Sequence, residues 1–158
     1  MLPVKTKKRA VPERHGVAAV LFDRSGRVLV VQRPAQGMLA SLWKFPGGFV
    51  EPHESLEAGI RRTVEEELGI RIRTESPVEV IRHTYTHFRL RLHVWLCRYN
   101  GEAVQALKCQ QWQWAAPNRL RRLPFSKADL MVLSMLTGPS AEAVFTSARK
   151  HQPPVDLS

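Results

Sequence analysis

The stretch from Ser55 to Leu68, stopped by Gly69 as a C-cap, constrains this chain more than any other, because it carries the pattern of one amphipathic helix. At roughly 100° per residue, Leu56, Ile60, Val64 and Leu68 fall within an arc of about 120° and form one apolar stripe. Glu67 falls inside that stripe. A carboxylate among core residues is costly unless a protonation shift, an arginine or a cation compensates it. Glu66 and Thr63 flank it, so one edge of the helix presents two adjacent carboxylates with a hydroxyl one turn earlier. A divalent cation with hard oxygen ligands is the simplest relief for two carboxylates that close. A plainer alternative has Glu66 pairing with Arg62 at i, i+4 while Glu65 to Glu67 form a solvated acidic patch.

A chain of 158 residues has room for one core. Its 44% hydrophobic and 24% charged residues exclude disorder. The longest apolar run, Val17 to Phe22, is far short of the roughly 18 residues of a membrane helix, so the expectation is a soluble, cytoplasmic protein. Twenty-four Lys and Arg against fourteen Asp and Glu give a formal charge of +10, which favours anionic partners. Cys97 and Cys109 form no CxxC pair, which excludes a cysteine zinc site and a disulfide scaffold.

Around the helix, Gly16 to Asp23 and Arg27 to Arg33 suggest two strands paired through a turn at Arg24, Ser25 and Gly26. An irregular loop over Pro34 to Leu42 leads to Trp43–Val50, broken by Pro46, Gly47 and Gly48. Ile70–Arg73, Val78–Tyr85, Phe88–Tyr99 and Gln111–Ala115 suggest further strands, and Ser126 starts a helix to about Thr137. Strands outnumber helices without a βαβ alternation, which favours an α+β fold with a mixed sheet. The expected organisation is a flexible basic arm over 1–12 (Lys5, Lys7, Lys8, Arg9), a domain over 13–140 and a C-terminal extension over 141–158 that is partly disordered.

Gly48, Glu54, Arg62, Glu66, Glu67, Gly69 and Ile70 have the spacing of the Nudix box: glycine, five residues, glutamate, seven residues, then Arg-Glu-apolar-any-Glu-Glu-any-Gly-apolar. With Phe45-Pro46-Gly47-Gly48 and the strands before it, the chain resembles the Nudix hydrolase superfamily, of MutT-like type. The resemblance implies a mixed β-sheet sandwiched between helices and a site for Mg²⁺ or Mn²⁺ against a diphosphate. It implies Glu66 and Glu67 as metal ligands, the Gly48 carbonyl as a third, and Arg62 with Glu54 as the brace of loop and helix. Thr63 stands where the family has the first glutamate of the box's Arg-Glu pair, and a hydroxyl is no useful general base near neutral pH. Glu102 and Glu51 are the candidates to replace it.

A second, local resemblance runs through His83-Thr84-Tyr85-Thr86-His87-Phe88, the loop from Gly37 to Trp43 and Leu123-Pro124-Phe125-Ser126, which are similar to the Nudix-like C-terminal domain of MutY-type adenine DNA glycosylases. It implies Tyr85, Thr86 and His87 near a purine; the alternative is a hairpin of polar cross-strand pairs. Arg33 suits a phosphate contact, since a guanidinium grips two oxygens at once, and Trp43 or Phe45 are the aromatics expected near a ligand. Trp95, Trp112 and Trp114 are expected in the core and His151 in solvent; Arg119, Arg121 and Arg122 form a candidate DNA-binding surface. The function implied is metal-dependent hydrolysis of the pyrophosphate linkage of a nucleoside diphosphate derivative, either a nucleoside triphosphate or an oxidised purine nucleotide. The alternative is a non-catalytic module of the same fold that binds a modified purine in DNA or a nucleotide.

Overall fold

The computed structural model describes residues 11–138 and 141. The expected basic arm lies outside the described residues apart from Val11 and Pro12, and the C-terminal extension, His151 included, lies outside them apart from Ala141.

Strand β1 (Glu13–Leu21) carries the apolar run, and its side chains alternate between two cores. Ala18 and Val20 join one cluster, while Val17, Ala19 and Leu21 join the other. Strand β2 (Val28–Gln32) divides in the same way, Val28 and Val30 from Leu29 and Val31. A strand buried on both faces needs an uninterrupted apolar sequence, which explains why neither shows polar alternation.

Beyond these lie β3 (Trp43–Lys44), β4 (Gly47–Phe49), α1 (Leu56–Leu68), β5 (Arg73–Thr84), β6 (Arg89–Arg98), β7 (Gln111–Ala115), α2 (Pro117–Leu120) and α3 (Lys127–Thr137). A four-stranded sheet runs β4-β1-β6-β5 and a three-stranded sheet β3-β2-β7. Helix α1 covers one core with Ile60, Val64 and Leu68, and α3 covers the other with Ala128, Val132, Leu133 and Leu136. The result is the expected mixed-sheet α+β sandwich.

Three local expectations are corrected. The first two strands are not a hairpin: the turn forms, with Asp23 N–H donating to the Arg27 carbonyl, but only Phe22 and Val28 bridge before the strands part. Both edges of β1 are taken, antiparallel by β4 and parallel by β6, so β2 pairs with β3 and β7 in the other sheet. The segment Ile70–Arg73 is no separate strand; Ile70 and Ile72 anchor the exit from α1, and β5 runs unbroken from Arg73. Its register shifts at Thr74/Ser76 and Pro77/Glu79, around a proline with no N–H for the ladder. Ser126 starts α3 without capping it, because its hydroxyl donates to Asp129 Oδ2 at 2.6 Å.

Candidate active site

Helix α1 is fixed at both ends. The Ser55 hydroxyl accepts from the Ala58 N–H at 3.1 Å, and Gly69, in the left-handed region, returns its N–H to the Glu65 carbonyl. The apolar stripe seats the helix on β1 and the first turn after it, so the orientation of its polar edge follows from packing.

On the solvent side, Arg62 gathers the loop. Its Nε donates to Glu54 Oε2 at 2.7 Å, and its Nη2 donates to Glu54 Oε1 at 2.8 Å and to the Phe49 carbonyl at 3.0 Å. Its Nη1 donates to Glu66 Oε1 at 3.2 Å and lies 3.9 Å from Glu51 Oε1. The Glu54 carboxylate also accepts from the Glu51 N–H at 3.0 Å. The Arg62 hydrogen bonds, followed by the Glu51 amide, hold the Glu54 carboxyl down at about 2, and Glu54 in turn raises the Arg62 guanidinium further above its already high value. The i, i+4 pairing of Arg62 with Glu66 is therefore present, but Glu65 to Glu67 are not one solvated patch, because Glu67 is only 8% exposed.

Glu67 is compensated by a residue that sequence reasoning missed. Lys44, on β3, places its Nζ 3.0 Å from Glu67 Oε1 and 2.9 Å from Oε2, and donates to the carbonyls of Phe45 and Gly47 at 3.0 and 2.9 Å. The Gly47 N–H donates to Glu67 Oε1 at 3.2 Å. Gly47 has φ 144°, and a Cβ there would stand 2.0 Å from the Val17 carbonyl oxygen, so only glycine lets β4 close on β1 and aim both its backbone groups at this cluster. The one signal in the sequence was Glu67 itself, buried by periodicity and in need of a cation.

The three residues of the expected metal set thus have different surroundings. Glu66 is 45% exposed on its side chain and shares one oxygen with Arg62, which leaves it fit for a hard cation. Both oxygens of Glu67 are occupied by Lys44. Gly48 lies against Thr63, whose Cγ2 would be 3.1 Å from a Cβ at that position. The Thr63 hydroxyl is buried and donates to the Gly59 carbonyl at 2.7 Å. Among the described residues, no group of three His, Cys, Asp or Glu is placed to hold a metal ion.

Next to this cluster a pocket opens with Arg33, Lys44 and Asp129 as its charged groups and Phe45, Tyr85 and Phe88 among its walls. Asp129, the second residue that sequence reasoning missed, is fully buried; burial raises its carboxyl above the ordinary range, against the opposing pull of Ser126, Arg33, Lys44 and the Phe45 amide. Arg33 Nη2 lies 3.9 Å from Asp129 Oδ2, and its Nε is buried with no hydrogen-bond partner in the protein. Of the aromatic candidates, Phe45 and Tyr85 line the pocket, whereas Trp43 does not and sits in the core at its bridge with Phe125. Thr86 is exposed at the turn of the β5–β6 hairpin, where the Tyr85 N–H donates to the Phe88 carbonyl, and it does not line the pocket. Glu51 is beside the Arg62 cluster, but Glu102 accepts from the Arg71 N–H at 2.6 Å and is engaged in the loop after β6. Trp112 and Trp114 pack against the second core, as does Trp95.

Residues 17–135 match the NUDIX domain. The chain is 34% identical over 117 residues to the CTP pyrophosphohydrolase of Escherichia coli (strain K12), covering 74% of this chain and 87% of that protein. It is 29% identical over 82 residues to the 8-oxo-dGTP diphosphatase of Proteus vulgaris, covering 52% and 73%. Its fold superimposes with a TM-score of 0.73 on the MutT protein from Methanosarcina mazei Go1, at 21% identity and over 88% and 97% of the two chains. Box spacing, sandwich topology and these matches agree: the chain belongs to the NUDIX domain family.

Proposed function

We propose that this chain is a Nudix nucleotide pyrophosphohydrolase acting on a nucleoside triphosphate or its oxidised purine counterpart, which water cleaves to a nucleoside monophosphate and pyrophosphate. The observation that carries this is one pocket, walled by Phe45, Tyr85 and Phe88 and bearing Arg33 and Asp129, opening at Gly47 and Gly48 of β4, the strand that precedes the helix of Glu66 and Glu67. The relatives named for CTP and 8-oxo-dGTP support a nucleoside triphosphate.

A base slides between the aromatic walls, and the buried Asp129 carboxyl offers an oxygen to its edge. Arg33 turns its unpartnered Nε and its guanidinium face to the phosphates. Glu66 is the residue that would hold Mg²⁺ or Mn²⁺, and a cation bound there would supply charge neutralisation at the phosphate oxygens and activation of water. Arg62 keeps Glu54, Glu66 and the Phe49 carbonyl in one rigid group so that the loop does not move as charge arrives. Glu51, with a side chain 66% exposed beside Arg62, is the carboxylate available to take a proton from attacking water.

The test is release of phosphate or pyrophosphate from a nucleotide panel including CTP and 8-oxo-dGTP, with each cation. Pyrophosphate release is expected, and Thr63→Glu, which adds a carboxylate on the helix to the exposed Glu51 of the loop, should raise turnover. A panel left intact by both proteins would instead support the second reading, a non-catalytic module of the MutY-like kind that binds a modified purine in DNA. That reading is favoured by one observation, the Thr63 hydroxyl committed to the helix backbone. Under either reading we propose one domain over 13–140. The free thiols of Cys97 and Cys109 suit a cytoplasmic protein. Arg119, Arg121 and Arg122, all exposed, give any DNA binding a steep salt dependence that fluorescence anisotropy reads.

A further inference from the structure

The Lys44 ammonium sits in a cage of oxygens: the Phe45 and Gly47 carbonyls and both oxygens of Glu67, all between 2.9 and 3.0 Å from Nζ. These four acceptors satisfy all three of its N–H donors, and the side chain is 10% exposed, as is that of Glu67. Two backbone carbonyls and a carboxylate converging on one point form a cation seat, and here a tethered cation fills it. The spacing suits nitrogen and not a divalent ion: Mg²⁺ demands oxygens at about 2.0–2.1 Å in an octahedron, so each ligand would have to move inward by nearly 1 Å. Gly47 is on β4, paired with Ala18 of β1, so a shift of that size would have to distort the ladder between the two strands. A bound divalent ion at Glu67 would also sit against the ammonium and be repelled by it.

We propose that Lys44 is the resident cation of this site, standing where a divalent ion would otherwise bind Glu67, so that Glu67 is a partner of Lys44 and not a metal ligand in this chain. At this site free metal is then left with the outer edge at Glu66, and firm binding there requires the nucleotide's own phosphate oxygens. The inference rests on the hydrolase reading above for the identity of the site, but its test does not depend on turnover.

Titrating Mn²⁺ into the full chain without nucleotide, followed by calorimetry and by the electron paramagnetic resonance of free Mn²⁺, reads the seat directly. The wild type should bind weakly. Lys44→Met empties the seat and leaves the carboxylate, so its Mn²⁺ affinity should rise about tenfold or more, and Mn²⁺ should raise its Tm while leaving that of the wild type unchanged. Lys44→Met/Glu67→Gln should lose both gains. Lys44→Gln, which keeps a hydrogen-bond donor without the charge, serves if the methionine variant folds poorly, and circular dichroism checks each. Tight Mn²⁺ binding by the wild type that Glu67→Gln abolishes would overturn the proposal. So would affinity in folded Lys44→Met and Lys44→Gln no greater than in the wild type. Nucleotide hydrolysis measured in parallel reports on the function alone: an inactive wild type with the expected Mn²⁺ behaviour sinks the hydrolase reading and leaves the Lys44 assignment standing.

Discussion

Arg62 and Lys44 each neutralise carboxylates of α1, in opposite surroundings. Arg62, with its side chain 30% exposed, reaches Glu54, Glu66 and Glu51, all within fifteen residues of one another in the chain. Lys44, 10% exposed, reaches one carboxylate 23 residues away and completes its hydrogen bonding with backbone carbonyls. Each bond of the first cluster competes with water, so the cluster degrades gradually as members are removed. The second has no water to fall back on: each partner is the other's reason for being buried, and taking one away strands a charge.

The largest effect should come from breaking the buried pair on one side only. Lys44→Ala, without metal, leaves the Glu67 carboxylate buried and unpaired, at a cost of about 3–5 kcal/mol in urea unfolding, and Glu67→Ala strands the ammonium at a similar cost. Removing both charges together, in Lys44→Met/Glu67→Leu, should recover most of that loss, since apolar residues of similar size fill the space without desolvation cost. If the double variant were as unstable as the sum of the single ones, the pair would not be a coupled unit and the contrast with Arg62 would fail.

The exposed cluster should give less. Arg62→Ala loses the two-pronged grip on Glu54 and the contact with the Phe49 carbonyl, and its cost in urea unfolding should be well below that of either single variant of the buried pair. Arg62→Lys should recover little of it, because an ammonium cannot span both Glu54 oxygens and the carbonyl at once. Acid separates the clusters further. Glu54 has its carboxyl held at about 2, below the ordinary 4.5, so its contribution is fully present above pH 4.5 and fades as the pH falls from there towards 2. Unfolding followed across that window should therefore show the wild type and Glu54→Gln converging as the pH drops. A difference that stayed constant across it would mean that Arg62 acts through packing and not through the Glu54 charge.

The same contrast explains which parts of the molecule could be read from the chain alone. Arg62, Glu54 and Glu66 lie on one loop and helix, so helical periodicity and box spacing place them together before any tertiary contact forms. The burial of Glu67 was also legible, as an acidic residue in an apolar stripe. Its partner was not, because Lys44 reaches it only through the approach of β3 and β4 to α1, and no local pattern encodes a contact between strand and helix. Asp129 was missed for a similar reason: in sequence it is one acid near a helix N-terminus, and only packing of α3 against Phe45 and Arg33 buries it in the pocket. The pairing of β1 with β2 failed because a short polar turn specifies that the chain reverses, not which sheet the next strand joins. Trp43 and Phe45, two residues apart, join the same core cluster, and residue type could not tell which of the two reaches the pocket.

The smallest expected effect tests how far the two clusters are electrically separate. Cys109 has its thiol pushed up to about 11, chiefly by burial; Glu67 raises it further and Lys44 lowers it. Glu67→Gln should therefore release more thiolate and speed alkylation by iodoacetamide at mildly alkaline pH by about threefold, the scale of one screened charge at moderate distance. Lys44→Met should slow it by a similar factor so long as the protein stays folded. Cys97 supplies the internal standard, since burial pushes it to about 12 and its neighbouring charges are Glu75 and Arg61, not the Lys44 pair. A variant that loosened the whole fold would label both cysteines, while one that changed only the local charge would alter Cys109 and leave Cys97 unreactive. Glu54→Gln should alter neither rate, because Arg62 and solvent screen that charge from the interior. If Glu54→Gln changed Cys109 as strongly as Glu67→Gln does, the exposed and buried clusters would be one electrostatic unit, and the distinction between gradual and all-or-none loss would have to be abandoned.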